Sequence, residues 1–456
     1  MMDERQFWDS TPSLRYVFDY ARAKQVAPWA TLFVVLARIS VAMPPHVVTP
    51  SLVSSEYGSL NVFVGILGPS GMGKGLTTGV ARSLVPDIRK AMTAQPASGE
   101  GIPAMFTTRK NQDEGDRQVQ VVVCANCRAL LDIPEIAVLG GNSKRQGSIL
   151  IPMLTSAWSG EDLGCFTKNE ANRYTVPRYG YRLSLITGVQ PSNLGMILDE
   201  AGTGLPQRFL FAPVTDLEAP EEPPQMPPGS IFPFDVSVLP ADMMVSALDT
   251  LYQAGSRYDM MDHGETSYPL TVMEYPQITY AEARRVRADT LHGKVSDPLD
   301  AHRLGLKTKV AALLAMLDHP NDPLKVRERD WTLADYVCEK SAQFRAEAIQ
   351  QAEEIKRTLK AEAIALDDDA RAEADKRKAE RVKNTVLNYL DKHDPDRKGI
   401  VGWRISNAAR STDRKGGYVY RILEELRDEG KLDSAGNSDS RSATWSRCDQ
   451  PPVLVS

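Results

Sequence analysis

The stretch that decides the fold runs from Leu60 to Gly75 and reads LNVFVGILGPSGMGKG. Its apolar first half predicts a buried strand, and its second half is a glycine-rich loop that reaches Lys74. The residues after the loop predict a helix from Leu76 to Leu84. A loop in this setting can bind phosphate, because its glycines allow backbone N–H groups to converge on an anion.

The candidate phosphate-binding residues follow directly from this pattern. They form one continuous run: Gly68, Pro69, Ser70, Gly71, Met72, Gly73, Lys74, Gly75 and Leu76. The ammonium group of Lys74 is suited to the β- and γ-phosphates of a nucleotide. We therefore predict a nucleotide site, with ATP as the expected nucleotide and Mg²⁺ as its expected metal ion. The alternative is a glycine-rich turn that binds nothing.

Gly75 departs from the usual phosphate-loop pattern, which has serine or threonine directly after the lysine. The hydroxyl group of that residue normally contacts Mg²⁺. Thr77 and Thr78 lie within one helical turn of Gly75, so one of them, or a water molecule, is the alternative ligand.

Length and composition are those of an ordinary globular protein. The 456 residues are enough for about two or three domains. The net charge of −5 gives no overall nucleic-acid signature, so any basic surface must be local. The N-terminal stretch MMDERQFWDS is acidic and polar in character, so no signal peptide is expected there. The apolar run Pro28–Met43 is interrupted by Arg38 and predicts a buried helix. We expect a soluble, cytoplasmic protein with no membrane partner.

The cysteines do not predict a metal site. Cys124 and Cys127 form a CxxC pair, but no second pair or nearby histidine completes a zinc site. Both cysteines are expected to line a strand, and no structural metal ion is expected.

Two acids follow the next apolar strand. The segment Ala129–Leu131 leads to Asp132 and Glu135. A nucleotide hydrolase needs carboxylates beside its phosphate loop, one to orient Mg²⁺ through water and one to polarise the attacking water. We assign the catalytic role to Glu135 and a metal-related or structural role to Asp132. The alternative is that both acids are ordinary turn residues.

Two further candidates lie at the ends of strands. Gln190 follows the apolar strand Tyr181–Val189, where a polar side chain can sense the γ-phosphate. Arg208 directly precedes another apolar strand, and an arginine there can reach a γ-phosphate bound by a neighbouring subunit. Strands alternate with helices from Leu60 to Pro213, which predicts a mainly parallel sheet with helices on both faces.

The C-terminal segment has a different pattern, three helical stretches followed by a strand pair. This pattern is typical of a winged helix with Gly417–Glu429 as its recognition helix. The segment has a net charge of about +4 in an acidic chain, which suits contacts with DNA phosphates. The candidate DNA-binding residues are Arg410, Arg414, Lys415, Tyr418, Arg421 and Arg441. The alternative is a winged helix used for protein contacts.

Taken in order, these motifs resemble a known family. The sequence elements that carry the resemblance are the phosphate-loop stretch, PEI, RQGS, AWSGEDLG, LITGVQP and GLPQRF. They resemble ATP-binding proteins of actinobacterial prophages, phages and mobile elements. They also resemble the helicase part of phage and plasmid primase-helicases, within the AAA+ and superfamily III-like P-loop ATPases. The resemblance covers residues 7–215 well and reaches about residue 351 loosely.

The resemblance implies a hexameric DNA-dependent ATPase with an AAA+ or RecA-like α/β core, a helical leader and a helical lid. It implies that Lys74 binds phosphate and that Glu135 catalyses hydrolysis. It further implies that Gln190 senses the γ-phosphate and that Arg208 acts in trans.

The expected organisation has six parts. They are a helical leader (1–59), a P-loop ATPase core (60–216), a Pro-rich connector (217–235), a lid with a long helix (236–379), a winged helix (380–448) and a tail (449–456). The expected function is that of a replicative helicase or replication-initiation motor of a phage or mobile element. Its expected partners are DNA, further copies of the chain in a ring, and replication proteins. The alternatives are a nucleotide-switched DNA-binding regulator or helicase loader that does not unwind DNA, and an ATPase of an anti-phage defence system.

Overall fold

The computed structural model of the protein describes most of the chain. The described residues are 2–86, 88, 91–114, 117–143, 148–164, 174–198, 201–231, 270–294, 297–409, 417–436 and 438–448. The chain divides into two compact units, Met1–Ile355 and Lys356–Ser456. The six-part organisation stays a prediction, and the 449–456 tail and all of 236–269 lie outside the described residues.

The first unit contains most of the helices and strands. Its helices are α1 (Glu4–Trp8), α2 (Pro12–Ala23), α3 (Pro28–Ala42), α4 (Lys74–Leu84), α5 (Gly101–Ala104), α6 (Ala137–Ser143), α7 (Leu150–Ser159), α8 (Gly195–Leu198), α9 (Gln277–Leu291), α10 (Arg303–Asp318) and the start of α11 (Glu328–His393). Its strands are β1 (Val47–Val48), β2 (Phe63–Leu67), β3 (Met92–Ala94), β4 (Thr107–Glu114), β5 (Arg117–Cys124), β6 (Arg128–Ile133), β7 (Arg182–Val189), β8 (Phe209–Pro213) and β9 (Thr271–Val272).

Five of these strands form a parallel sheet in the order β3-β6-β7-β2-β8. The phosphate-loop strand β2 therefore lies between β7 and β8. Every residue of β2 and β7 is buried. Neighbouring strands in a parallel sheet need crossover connections, so helices alternate with the strands. The prediction of an α/β fold with a parallel central sheet is confirmed, and this architecture is compatible with a P-loop NTPase.

Helix α3 packs against this sheet. It begins at Pro28, whose fixed φ favours a first helical turn, and all 15 of its residues are buried. It contacts β7, β8 and α4. A helix that is apolar on every side belongs in a core, and the buried helix predicted for Pro28–Met43 is confirmed.

A buried arginine joins the segment before β2 to the sheet. Arg182, the first residue of β7, donates hydrogen bonds to the carbonyl oxygens of Pro44 and Val47 at 2.7 Å. It also donates to the hydroxyl oxygen of Ser59 at 2.9 Å. Burial lowers the pKa of Arg182 to about 9. These acceptors offset part of the cost of placing a cation in the core.

Two small strand pairs lie outside the central sheet. Strands β4 and β5 form an antiparallel hairpin in which Thr107 pairs with Cys124 and Glu114 pairs with Arg117. Strand β1 pairs in parallel with β9. Cys124 ends β5, Cys127 precedes β6, and both are half-buried. In the described part of the chain, no group of three or more His, Cys, Asp or Glu side chains is arranged to hold a metal ion.

The second unit has its own core. After α11 it contains β10 (Ile400–Val401), α12 (Gly402–Ala408), α13 (Gly417–Asp428), β11 (Leu432–Ala435) and β12 (Thr444–Arg447). The strands form an antiparallel sheet in the order β10-β12-β11. Apolar side chains from the helices and the sheet form one buried cluster, which includes Val386, Ile405, Leu423 and Trp445.

Helix α11 is continuous over 66 residues. It passes through the charged stretch Asp367–Asp369 because no glycine or proline interrupts the sequence between its ends. None of the helices in the described ranges combines the length and the apolar character needed to cross a bilayer.

A buried carboxyl group at the end of α10 gives a stability prediction. Asp318 accepts a hydrogen bond from the hydroxyl of Thr11 at 2.7 Å, and burial raises its pKa. Because the folded state favours the protonated form, the ionised carboxylate costs stability once the pH rises through the folded pKa. We expect Asp318→Asn to stabilise the protein at pH 7 by about 1 kcal/mol and to lose this advantage near pH 3. Urea unfolding at both pH values measures the effect.

The control for this prediction is Glu218→Gln, because the side chain of Glu218 is 88% exposed. It should leave the free energy of unfolding unchanged at both pH values. Equal stability of Asp318→Asn and the parent at pH 7 would contradict the prediction.

Candidate active site

The loop between β2 and α4 has the backbone of an anion site. Gly71 and Gly73 have φ values of 80° and 87°, in the left-handed region that favours glycine. Gly73 is the residue before α4, and no side chain among the described residues caps that helix start. The first N–H groups of α4 therefore remain free to bind an anion.

Lys74 is held at the start of α4. Its ammonium group donates hydrogen bonds to the carbonyl oxygens of Gly68 at 2.8 Å and Pro69 at 3.2 Å. It also lies 3.5 Å from a carboxylate oxygen of Glu135. Only 13% of the lysine side chain is exposed, so water screens its charge little.

Glu135 and Gln190 meet at the carboxyl edge of the sheet, where β6 and β7 end. The backbone N–H of Gln190 donates to one carboxylate oxygen of Glu135 at 3.2 Å, and its side-chain amide donates to the other at 3.0 Å. The N–H of Ile136 donates to the Gly188 carbonyl at 2.8 Å and fixes the turn after β6. The structure thus brings together three residues selected from the sequence, Lys74, Glu135 and Gln190.

Asp132 lies at the same edge with a partner that sequence reasoning missed. Its carboxylate is 3.7 Å from the guanidinium of Arg82, which projects from α4. Lys74, Thr78 and Arg82 follow one another at four-residue spacing on that helix. This spacing places them on one face, and it is the signal in the sequence from which Arg82 could have been found.

A cavity of about 790 Å³ opens between the loop and these strand ends. This is within the range of small-molecule sites, about 300–1,000 Å³. The predicted residues that line it are Ser70, Gly71, Gly73, Lys74, Gly75, Asp132, Glu135 and Gln190. Thr78, one of the two alternative metal ligands, also lines it, and the lining residues that were not predicted include Thr93 and Gln95. Met72 and Leu76 are exposed beside the cavity, with 51% and 57% of their surface accessible.

Arg208 is far from this cavity within the same chain. It precedes β8, whose first residue Phe209 pairs with Phe63 at the start of β2. The phosphate loop follows the carboxyl end of β2, whereas Arg208 lies at the amino ends of the strands. The two are therefore about 16 Å apart along the strand direction. Its guanidinium donates to the Gly204 carbonyl and lies 5.3 Å from the ring of Trp158. Burial lowers the pKa of Arg208.

The cavity fits a nucleotide better than it fits a protein-bound metal ion. The loop glycines, the free helix start and Lys74 are suited to phosphate oxygens. Of the two threonines proposed to replace the missing hydroxyl, Thr78 lines the cavity and Thr77 is fully buried. Thr77 donates to the Gly73 carbonyl at 3.3 Å, and Thr78 donates to the Gly75 carbonyl at 2.9 Å.

The predicted DNA-binding residues of the second unit are partly described. Arg410, Arg414 and Lys415 lie outside the described residues. The ring of Tyr418 lies 4.5 Å from the charged groups of both Lys378 and Arg421. Arg421 also pairs with Glu425 at 3.4 Å and is 63% exposed, and Arg441 is exposed in the connection between β11 and β12.

Comparisons with known proteins add little to this site. No protein-family model matches the chain, and no curated protein matches it. A solved structure titled "SCCmec type IV Cch - active helicase" is similar at a TM-score of 0.25 and 10% sequence identity. The likeness covers 92% of this chain and 67% of that chain. At this TM-score the likeness supports no inference about fold or activity.

Proposed function

We propose that the chain is a DNA-dependent ATPase that acts as a cytoplasmic replication motor of a phage or mobile element. The observation that carries the proposal is the meeting of Lys74, Glu135 and Gln190 beside a glycine-rich loop. These residues come from distant parts of the sequence and converge where three parallel strands end. Ligand sites in parallel α/β sheets form at this edge.

The proposed reaction uses this convergence. The loop and the start of α4 bind the phosphates of ATP, and Lys74 moves from the Gly68 carbonyl to the β- and γ-phosphate oxygens. Water attacks the γ-phosphorus, and the bond to the bridging oxygen of ADP breaks. Glu135 accepts the proton of that water, and Gln190 orients the carboxylate through its backbone N–H and its side-chain amide.

The position of Arg208 supports the proposal that several copies of the chain assemble. It cannot act on the nucleotide of its own chain from the opposite edge of the sheet. An arginine that stabilises the transferred phosphoryl group is commonly supplied by another protein or subunit. We propose that each site is completed by Arg208 of a neighbouring copy, in a ring-shaped assembly.

The second unit is proposed to be a winged helix that binds DNA. The end of α11, α12 and α13 pack on a three-stranded antiparallel sheet, which is the composition of that fold. Tyr418 and Arg421 lie near the start of α13, and Arg441 lies in the wing. Basic and aromatic side chains at these places suit a nucleic-acid backbone.

The experiment that tests the function is ATP hydrolysis with and without single-stranded or duplex DNA, followed by a strand-separation assay. DNA-stimulated turnover with strand separation supports the motor. An ATP hydrolysis rate that is the same with and without DNA would contradict the proposal that hydrolysis depends on DNA.

A second candidate function is a nucleotide-switched DNA-binding regulator or loader. The observation that favours it is the glycine at position 75, where the phosphate-loop pattern has a metal-binding hydroxyl. Stable ATP and DNA binding without turnover would support this candidate over the motor.

The DNA-binding prediction concerns two arginines. We expect Arg421→Ala combined with Arg441→Ala to weaken DNA binding and to lower the slope of log affinity against log salt by about 2, one for each phosphate contact. Fluorescence anisotropy at several salt concentrations measures the slope. Arg427→Ala, which removes a half-exposed arginine from the other end of α13, is the matched control and should change neither value. An unchanged slope in the double variant would contradict the prediction.

A further inference from the structure

One glycine of the central sheet lies directly under the candidate site. Gly188 is the last residue but one of β7, a strand that is buried along its whole length, and it lines the cavity. Its φ is not in the left-handed region, so its backbone conformation does not require glycine. A glycine inside a strand weakens that strand, and it often marks a place where another backbone or a ligand approaches closely. The reason for this glycine therefore lies in what packs against it.

The side chain of Lys74 and the turn after β6 both pack against Gly188. A Cβ atom at this position would lie 2.8 Å from Cε of Lys74 and 3.1 Å from its Cδ. It would also overlap the carbonyl oxygen of Pro134, the residue that precedes Glu135. Carbon atoms in favourable contact are about 3.5–4.0 Å apart, so a side chain at position 188 enters only if the lysine and the turn both move.

The backbone of Gly188 holds the same turn. Its carbonyl oxygen accepts a hydrogen bond from the N–H of Ile136 at 2.8 Å. Two residues further along the chain is Gln190, whose backbone N–H and side-chain amide donate to the carboxylate of Glu135. Gly188 is thus in contact with the lysine and with the turn that carries the proposed catalytic acid.

We propose that Gly188 is a positioning residue of the ATPase site, because its missing side chain leaves the space in which Lys74 lies beside the turn that carries Glu135. The inference rests on the proposed function and deepens it. Gly188 has no reactive group and acts through the two charged residues, whose charged groups are 3.5 Å apart. A methyl group at this position would displace both of them and leave the loop N–H groups that bind phosphate in place.

The first experiment measures turnover and nucleotide affinity of Gly188→Ala. We expect the turnover number to fall by about 100-fold, which is the cost of a displacement of about 1 Å in a catalytic site. The dissociation constant of a fluorescent ATP analogue should rise by less than about 10-fold, because the lysine is displaced but still present. A fall in turnover that exceeds the loss of affinity is a result that a general loss of folded protein does not give.

The matched control is Gly65→Ala, because Gly65 is a buried glycine of the neighbouring strand β2. The three atoms nearest to a Cβ atom at this position belong to the side chains of Phe211 and Val189, the first of them at 2.7 Å. The added methyl group overpacks the core, so we expect a lower unfolding temperature, with turnover within about threefold of the parent.

A second variant, Lys74→Arg, leaves the strand unchanged and tests the inference if Gly188→Ala does not fold. Arginine keeps the positive charge, but its planar guanidinium is wider than the methylene chain of lysine. It should not fit in the space over Gly188. We expect turnover at least about 100-fold below that of the parent, with an unfolding temperature close to that of the parent.

The outcomes separate this inference from the proposed function. Turnover within about threefold of the parent in folded Gly188→Ala, or in Lys74→Arg, would overturn the inference and leave the ATPase in place. An equal loss of turnover in Gly65→Ala would also overturn it, because the effect would then belong to any glycine of the sheet. A parent protein that does not hydrolyse ATP would overturn the proposed function itself.

Discussion

Replacement of Lys74 by alanine is expected to reduce ATP hydrolysis by about 100- to 1,000-fold, the usual effect of removing one donor that stabilises transition-state charge. Nucleotide affinity should also fall by about 10-fold or more, because charge-assisted hydrogen bonds to phosphate are lost. The lysine is the one cation that the structure places against both the loop carbonyls and Glu135, among the residues described. Steady-state turnover and titration of a fluorescent ATP analogue measure the two effects.

The control for Lys74→Ala is Lys325→Ala, which removes an exposed lysine paired with Glu274 on the surface of the same unit. It should hydrolyse ATP at the parent rate. Thermal unfolding of both variants shows whether the fold is intact. Hydrolysis by folded Lys74→Ala at the parent rate would show that the cavity is not the nucleotide site.

Replacement of Arg208 by alanine is expected to reduce turnover by about 1,000-fold while nucleotide binding stays at the parent level. The reason is its place before β8, at the edge of the sheet opposite to the loop. The loss should be partly restored by mixing with Lys74→Ala. In a mixed assembly, some sites combine the intact loop of one variant with the intact arginine of the other. Turnover of the mixture against each variant alone measures this complementation.

Complementation is interpretable only if the two variants assemble together, which light scattering of the mixture with nucleotide can establish. Arg208→Lys keeps a positive charge but lacks the planar fork, and it should recover only a part of the activity. A folded Arg208→Ala chain with parent turnover would contradict a catalytic role. Co-assembled but inactive mixtures would contradict action in trans.

The sequence alone places Lys74 on a glycine-rich loop between a strand and a helix, because the signals for these elements are local. The strand, loop and helix around Lys74 are adjacent in the chain, and the structure places β2 and α4 directly on either side of the loop. The buried strand predicted at Tyr181–Val189 is β7, Arg182–Val189. The assignment of Glu135 and Gln190 came from strand ends, where parallel strands bring side chains to one edge.

The features that the sequence did not predict depend on contacts between segments that are far apart in the chain. The strand order and the ion pair between Arg82 and Asp132 depend on how distant segments pack, and no single stretch of sequence records this. The β4–β5 hairpin stands outside the sheet although β5 is apolar enough to join it. The roles of the site residues, the bound nucleotide and the ring remain predictions that the variants above test.

The complete burial of α3 has a consequence for the synthesis of the chain. Trp29 of this helix packs against Phe344 of α11, with ring centroids 6.0 Å apart, so part of its cover is encoded about 300 residues later. At roughly 5–20 residues per second, a ribosome needs about 15–60 s to make that cover. Throughout this time the part of α3 around Trp29 lacks the side chain of Phe344 that covers it in the folded chain. The yield of folded protein should therefore depend on chaperones that shield nascent chains, more than the stability of the finished fold alone would suggest.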